Sequence, residues 1–295
     1  MKKYILFALS ALVLSGCSKE KMTLDIPGMF WGSSPEIDTR IEDSFRYNDQ
    51  HGYPVIQAAD ETYNVYVGTD SHVSFTRRNW VRFISDYRSD AACPLAIHLG
   101  DMIDAQNHWD YMAGAVDSVP KNPYKQDTLL AIAGNHDLYF NQWSEYTKRY
   151  GTSTYYAIVR TPMGKKDLFI FLDTAEGTLG AKQQDWLERL LKWADGQSFR
   201  HIVACTHTCV FKRDASQGHT SNMTLEETYH LLNMLQNHHV EFFLQGHDHS
   251  REVSQYREMT SIIIDALKDT EKGQAYMVMQ MSDAAIGYNF VSLVQ

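Results

Sequence analysis

The chain has 295 residues, 44% hydrophobic and 21% charged, which is enough to bury a sizeable core and excludes a disordered or low-complexity protein. A net charge of −9 excludes binding nucleic acid through a broad basic surface, so no nucleic-acid groove is expected. Four cysteines, one of them assigned to lipid below, are too few for a four-thiolate zinc site.

In chain order, the first segment reads as a leader and not as part of the fold. Lys2 and Lys3 precede an apolar run, Tyr4 to Leu14. That run is about half the ~20 residues a membrane-spanning helix needs, but it suits an export signal. The next residues, Leu14-Ser15-Gly16-Cys17, resemble a bacterial lipobox, in which residues 1–16 are removed and Cys17 becomes the lipidated first residue. A plain secretory signal cut elsewhere is the alternative. The lipobox implies a lipid-anchored protein of the bacterial cell envelope, and Ser18 in place of Asp favours the outer membrane. Residues 17–60 read as a tether and N-terminal extension, punctuated by Pro27, Gly28, Pro35 and Gly52-Tyr53-Pro54. Within it, Ile37–Phe45 holds enough apolar residues to pack on the domain, assigned to residues 61–295.

The domain itself alternates. Tyr63–Val67 and Leu95–Leu99 read as strands, separated by a helix with Trp80, Val81, Phe83, Ile84 and Tyr87 at helical spacing. A further helix is expected near Tyr111–Val116, and another at Trp143–Tyr150, stopped by Gly151. Tyr155–Val159 and Leu168–Leu172 flank the turn signal Thr161-Pro162-Met163-Gly164 and predict a hairpin. Gln183–Ala194 is an amphipathic helix ended by Gly196. Thr224-Leu225-Glu226-Glu227 is a capping box that opens a helix to about His238. From Ser261 onward the pattern is strand-like: Ser261–Ile264, Ala275–Met281 and Tyr288–Val294. The order, β-α-β-α followed by mostly β, predicts an α/β fold with layered sheets.

Five of the apolar runs stop on metal-ligating residue types. The motifs are Asp70-Ser71-His72, Gly100-Asp101-Met102-Ile103-Asp104, Gly134-Asn135-His136-Asp137, Thr206-His207-Thr208 and Gly246-His247-Asp248-His249. Ligands in such folds sit outside the carboxyl ends of the strands, where all five motifs fall, so one shared site is expected. Carboxylate, imidazole and amide-oxygen donors suit divalent Mn, Fe or Zn. Asp70, His72, Asp101, Asn135, His207, His247 and His249 exceed what one tetrahedral ion takes and match two ions sharing a carboxylate. Two ions about 3.5–4 Å apart clamp phosphoryl oxygens and lower the pKa of a bridging water toward about 7, which supplies a hydroxide nucleophile at neutral pH.

In order and spacing, these motifs resemble the calcineurin-like metallophosphoesterase family over about Tyr63 to Ile264. The resemblance implies a sandwich of two mixed β-sheets flanked by helices, and a dimetal phosphatase or phosphodiesterase acting on a small-molecule phosphoester. It implies one ion on Asp70, His72, Asp101 and His249, and another on Asp101, Asn135, His207 and His247. It implies that His136 does not ligate but faces the leaving-group oxygen as general acid, with Asp137 as a candidate to orient it. Asp104 stands either behind a metal ligand or as a solvated cap. Thr69 departs from the family, which often has glycine there. Two other readings remain: a non-enzymatic binding module on the same scaffold, and hydrolysis of a non-phosphate bond.

Several residues near the motifs keep two readings. Cys205 and Cys209 flank His207 and could form a disulfide, act as soft ligands or simply be buried, burial being favoured for Cys205. His98 reads as a core histidine, His238 and His239 as cations at a helix C-terminus, and His219 as a rim candidate. Arg77 and Arg78 are a solvated pair or reach a substrate phosphate. His108, Tyr139 and Phe140 follow ligand loops and either line the entrance or pack without substrate contact.

Overall fold

The computed structural model describes residues 36–214 and 218–293; the leader, the lipobox cysteine and the tether up to residue 35 lie outside them. Among the described residues, twelve of fourteen strands make two mixed sheets, with six α-helices on their outer faces. The five-stranded sheet has the order β14-β13-β2-β3-β4, from β2 (Tyr63–Gly68), β3 (Leu95–His98), β4 (Leu129–Ala131), β13 (Ala275–Met281) and β14 (Ile286–Ser292). The seven-stranded sheet has the order β1-β5-β6-β7-β10-β12-β11. Its strands are β1 (Val55–Gln57), β5 (Tyr155–Arg160), β6 (Lys166–Leu172), β7 (Phe199–Thr206), β10 (Phe242–Gln245), β11 (Glu252–Tyr256) and β12 (Met259–Ile263). A separate hairpin, β8 (Phe211–Asp214) with β9 (Gly218–Ser221), carries His219, whose side chain is outside those described.

Strand periodicity decides what fills each layer. On β6, Phe169 and Phe171 point one way, and Leu168, Ile170 and Leu172 the other. The two phenylalanines join Val65, Val67, Leu95, Ile97, Val203 and Leu244 in the core between the sheets. The three aliphatic residues face α5 (Ala181–Asp195) and α6 (Leu225–Asn237) through Leu187, Leu191, Leu231 and Leu235. The outer face of the smaller sheet is covered by α2 (Arg78–Ser89), α3 (Trp109–Ser118) and α4 (Trp143–Tyr150) through Trp80, Phe83, Trp109 and Tyr146. Central strands are therefore buried on both faces, which is why they read as unbroken apolar runs.

The hairpin and the helices fall within a few residues of their expected bounds. The capping box forms by half. Thr224 Oγ1 accepts the Glu227 N–H at 3.3 Å, but the Glu227 carboxylate turns to the Leu179 N–H, Thr178 and Gln184 instead of back to Thr224. The cap thus also ties α6 to α5.

The largest difference from the sequence reading lies before the first motif. Residues 37–57 supply a full helix, α1 (Ile37–His51), and the edge strand β1, which pairs in parallel with β5. The buried face of α1 is Ile37, Arg40, Ile41, Ser44 and Asn48. Three of those five are polar, so the apolar stripe that announces a helix is broken. Arg40 is fully buried. It donates from Nε and Nη2 to the two oxygens of Asp173, both at 3.1 Å, and from Nη1 to Glu176 at 2.6 Å. Both carboxylates belong to the loop leaving β6, so a buried ion cluster locks the helix to the strand ends.

Candidate metal centre

The five motif loops leave β2, β3, β4, β7 and β10 at their C-terminal ends and knit to one another by backbone hydrogen bonds. Asp70 N–H donates to the Gly100 carbonyl (3.0 Å), His72 N–H to Asp101 O (3.0 Å) and Gly246 N–H to His207 O (2.9 Å). The motif glycines allow this approach. A Cβ on Gly134 would collide with the backbone and carboxylate of Asp101, and one on Gly246 with Thr69 and Asp70.

The motif backbone is strained where the donors sit. Asp70 (φ 50°), His72 (39°), Asp101 (53°), His247 (73°) and His249 (55°) all occupy the left-handed region that L-residues avoid, at a cost of order 1–3 kcal/mol each. They are five of the nine non-glycine residues with positive φ among those described. The strain aims their side chains into one crevice.

Donor atoms converge there. His72 Nε2 and His249 Nε2 lie 3.2 Å apart, and His249 Nε2 lies 3.3 Å from Asp70 Oδ1. Asp101 divides its oxygens, Oδ2 lying 3.5 Å from His72 Nε2 and Oδ1 3.4 Å from His207 Nε2. Asn135 Oδ1 is 3.1 Å from the same His207 nitrogen, while its Nδ2 donates to the Tyr139 hydroxyl (2.8 Å), which fixes the amide with oxygen inward. His247 completes the second side, its ring 5.2 Å from that of His207. Ligand atoms of Asp70, His72 and His249 form one group within 4.8 Å, and those of Asp101, His207 and His247 another. His72, Asp101 and His136 form a third group between them.

The outward nitrogens are held in turn. His207 Nδ1 faces the Leu99 carbonyl at 2.8 Å, which makes it the N–H and leaves Nε2 as an inward lone pair. His72 Nδ1 lies 3.4 Å from Asp104 Oδ1, longer than a good hydrogen bond, and His249 Nδ1 lies 3.4 Å from Glu271 Oε1. Asp104 was a sequence candidate. Glu271 was not, because it comes from the loop between β12 and β13, where no motif precedes it.

Burial by itself would raise the Asp70 carboxyl, but the imidazoles of His249, His207 and His72 around it hold it well below the usual range. Asp101 goes the other way: burial, with Asp70 adding to it, pushes its carboxyl up to about 7. Burial pulls His72 down to about 2, so its imidazole is neutral at pH 7. Divalent cations fit this arrangement. Asp70 Oδ1 is buried without a hydrogen-bond partner, its Oδ2 being taken by the Thr69 hydroxyl (2.6 Å) and the His247 N–H (2.8 Å). Facing imidazole nitrogens beside an orphaned carboxylate oxygen are what a cation would reconcile. Thr69, the departure from the family pattern, thus holds the first carboxylate.

Asp137 corrects the sequence reading. Its buried carboxylate accepts the Met102 (2.9 Å), Ile103 (3.3 Å) and Gly134 (2.9 Å) N–H groups, so it braces the second and third loops and does not orient the His136 ring. His136 Nδ1 instead faces the Asp104 carbonyl at 3.5 Å. His98 is a core residue, packed edge-on to Trp80 and pulled down to about 3 by burial. Cys205 and Cys209 are buried and not joined to each other. Arg77 lies over the Tyr111 ring, and the Arg78 N–H donates to Asp269.

Comparison with known proteins gives the fold and the family. A dimetal phosphatase from Danio rerio is similar over 80% of this chain and 98% of its own, at TM-score 0.60 and 12% identity. Purple acid phosphatase PPD1 from yellow lupin (Lupinus luteus) seeds is similar over 81% of this chain and 52% of its own, at TM-score 0.59 and 13% identity. GAP50, described as the anchor in the inner membrane complex of Plasmodium, is similar over 78% and 84%, at TM-score 0.54 and 16% identity. At such identities these likenesses show the fold alone. No curated protein matches the chain. Residues 1–18 match the prokaryotic membrane lipoprotein lipid attachment site, which marks an exported, lipid-anchored protein. Among the described residues no helix is long and apolar enough to cross a membrane. Residues 63–251, well over half the chain, match the model of the calcineurin-like phosphoesterases, and the chain belongs to that family.

Proposed function

We propose that the crevice is a dimetal centre that hydrolyses phosphoesters. One ion is held by Asp70, His72, Asp101 and His249, and the other by Asp101, Asn135, His207 and His247. The observation that carries this reading is Asp101, whose two oxygens face His72 on one side and His207 on the other. When bound, such a pair supplies Lewis acidity for the phosphoryl oxygens and hydroxide at neutral pH.

The chain's own residues do the rest. Asp101 is kept from rotating by the His136 N–H, which donates to Oδ1 at 2.7 Å. Asn135 presents its oxygen inward because Tyr139 takes its amide hydrogen bond. The Asp104 and Glu271 carboxylates face the outer nitrogens of His72 and His249 at 3.4 Å and favour the ring orientations that turn Nε2 inward. His136 stands edge-on to His72 at 4.4 Å and is partly exposed. There it gives a proton to the departing alkoxide and recovers it from water.

We propose that the anchor is Cys17, with the serine after it favouring the outer membrane. Membrane fractionation checks that assignment. The chemistry is checked with the purified protein and Mn, given a nitrophenyl phosphodiester and monoester with and without chelator. Turnover that the chelator abolishes is expected. Absence of turnover across Mn, Fe and Zn would leave a binding module.

A further inference from the structure

Aromatic side chains follow closely on the ligand loops that carry His72 and His136. Phe75 is 78% exposed, unusual for a phenylalanine, and lies three residues beyond His72, within about 10 Å of it along the chain. Its ring packs at 5.1 Å on Tyr111 and at 5.9 Å on His108. His108 follows Asp104, whose carbonyl faces His136 and whose carboxylate faces His72. Tyr139 packs against His136 itself, ring to ring at 4.8 Å. Next to it is Phe140, half exposed at a loop tip where it and Asn141 both take positive φ (57° and 62°). The loops that carry His72 and His136 thus each bear exposed aromatic rings, and an exposed ring face is matched by another flat ring.

Resting on the assignment of His136 to the leaving group, we infer that the substrate's leaving group carries a planar aromatic ring that lies against Phe75. The shared chemistry is a π-face carried on the leaving group. A nucleobase and a simple aryl group both meet it. Stacking of one base on an aromatic side chain corresponds to about 5–150-fold in binding.

The test compares esters that leave as the same kind of primary alkoxide. Adenosine 5′-monophosphate is set against ribose 5-phosphate, and 2-phenylethyl phosphate against n-propyl phosphate. Each is offered to the metal-loaded protein as the monoester and as its methyl diester. The ring-bearing member of at least one pair is expected to have the higher kcat/KM by about 10-fold or more, and the pair that shows it names the source of the ring. Phe75→Ala is expected to lower that ratio by about 10-fold, with bound metal and Tm unchanged because the side chain is exposed. Phe75→Leu, which keeps apolar area without a ring, is expected to lower it nearly as far. Turnover with no preference in either pair, or a preference that Phe75→Ala leaves intact, overturns this inference alone. A Leu variant that keeps the whole preference overturns the aromatic part of it. Turnover of the nitrophenyl esters but of none of these overturns this inference alone, and no turnover of either set overturns the hydrolytic reading and this one with it.

Discussion

Two clusters of buried charge sit at the strand ends, and they are built on opposite rules. Around Arg40, three guanidinium nitrogens meet three carboxylate oxygens of Asp173 and Glu176. That cluster is closed within the chain. Around Asp101, two carboxylates and four imidazoles meet, five of the six on left-handed backbone, with Asp70 Oδ1 lacking a partner and imidazole nitrogens facing each other. That cluster is open. Buried charge must be paired or neutralised. The closed cluster pairs it with the protein itself, whereas the open one has the donor chemistry that divalent cations would neutralise.

The contrast can be broken at several points. The largest effect is expected from His136→Ala, which should lower kcat by about 10²–10⁴ while bound metal stays at two per chain. Steady-state kinetics with metal analysis on one sample separates that result from loss of a ligand. Next comes Arg40→Met on the closed side. Removing one partner strands two buried carboxylates, at a cost of about 3–5 kcal/mol. Calorimetry should show Tm lower by roughly 10 °C, with turnover per folded molecule kept. If Arg40→Met removed metal instead, the two clusters would not be independent.

Glu271→Gln probes the open side more gently. It should weaken metal binding about 10–100-fold, read by titration against a competing chelator, and leave Tm of the metal-free protein in place. The smallest effect is a pH dependence away from both clusters. Burial pulls His201 down, but hydrogen bonds to Glu241 (2.9 Å) and the Ser282 carbonyl (2.7 Å) outweigh it and hold the ring above its usual 6.5. A raised folded pKa stabilises fully below the unfolded value and is lost as pH rises through the folded one. His201→Gln should therefore flatten the fall in denaturant midpoint above about pH 6.5, and a fall of unchanged size would refute that source.

Comparing the two clusters also shows what can be read in a sequence. The open one was legible because its members end apolar strands. Once β2, β3, β4, β7 and β10 are placed, Asp70, Asp101, Asn135, His207 and His247 must lie at one edge. The closed one was not legible, because Arg40 sits among Ile37, Ile41, Ser44 and Asn48 and breaks the pattern it belongs to. Glu271 was missed for a similar reason, since its loop has no strand-end signature and only the fold brings it to His249. Asp137 shows the opposite error. Adjacency to His136 suggested partnership, but the tight turn sends the two side chains apart and gives the carboxylate to three backbone N–H groups.

The central claim is that Asp101 is shared between two cations. Elemental analysis of the folded protein after loading and gel filtration tests it most directly, on the unaltered chain and on Asp101→Asn. Two equivalents of divalent transition metal on the former, and less than one on the latter with its secondary structure intact, are predicted. One equivalent or none on the well-folded unaltered chain, or two retained without the carboxylate, would contradict it.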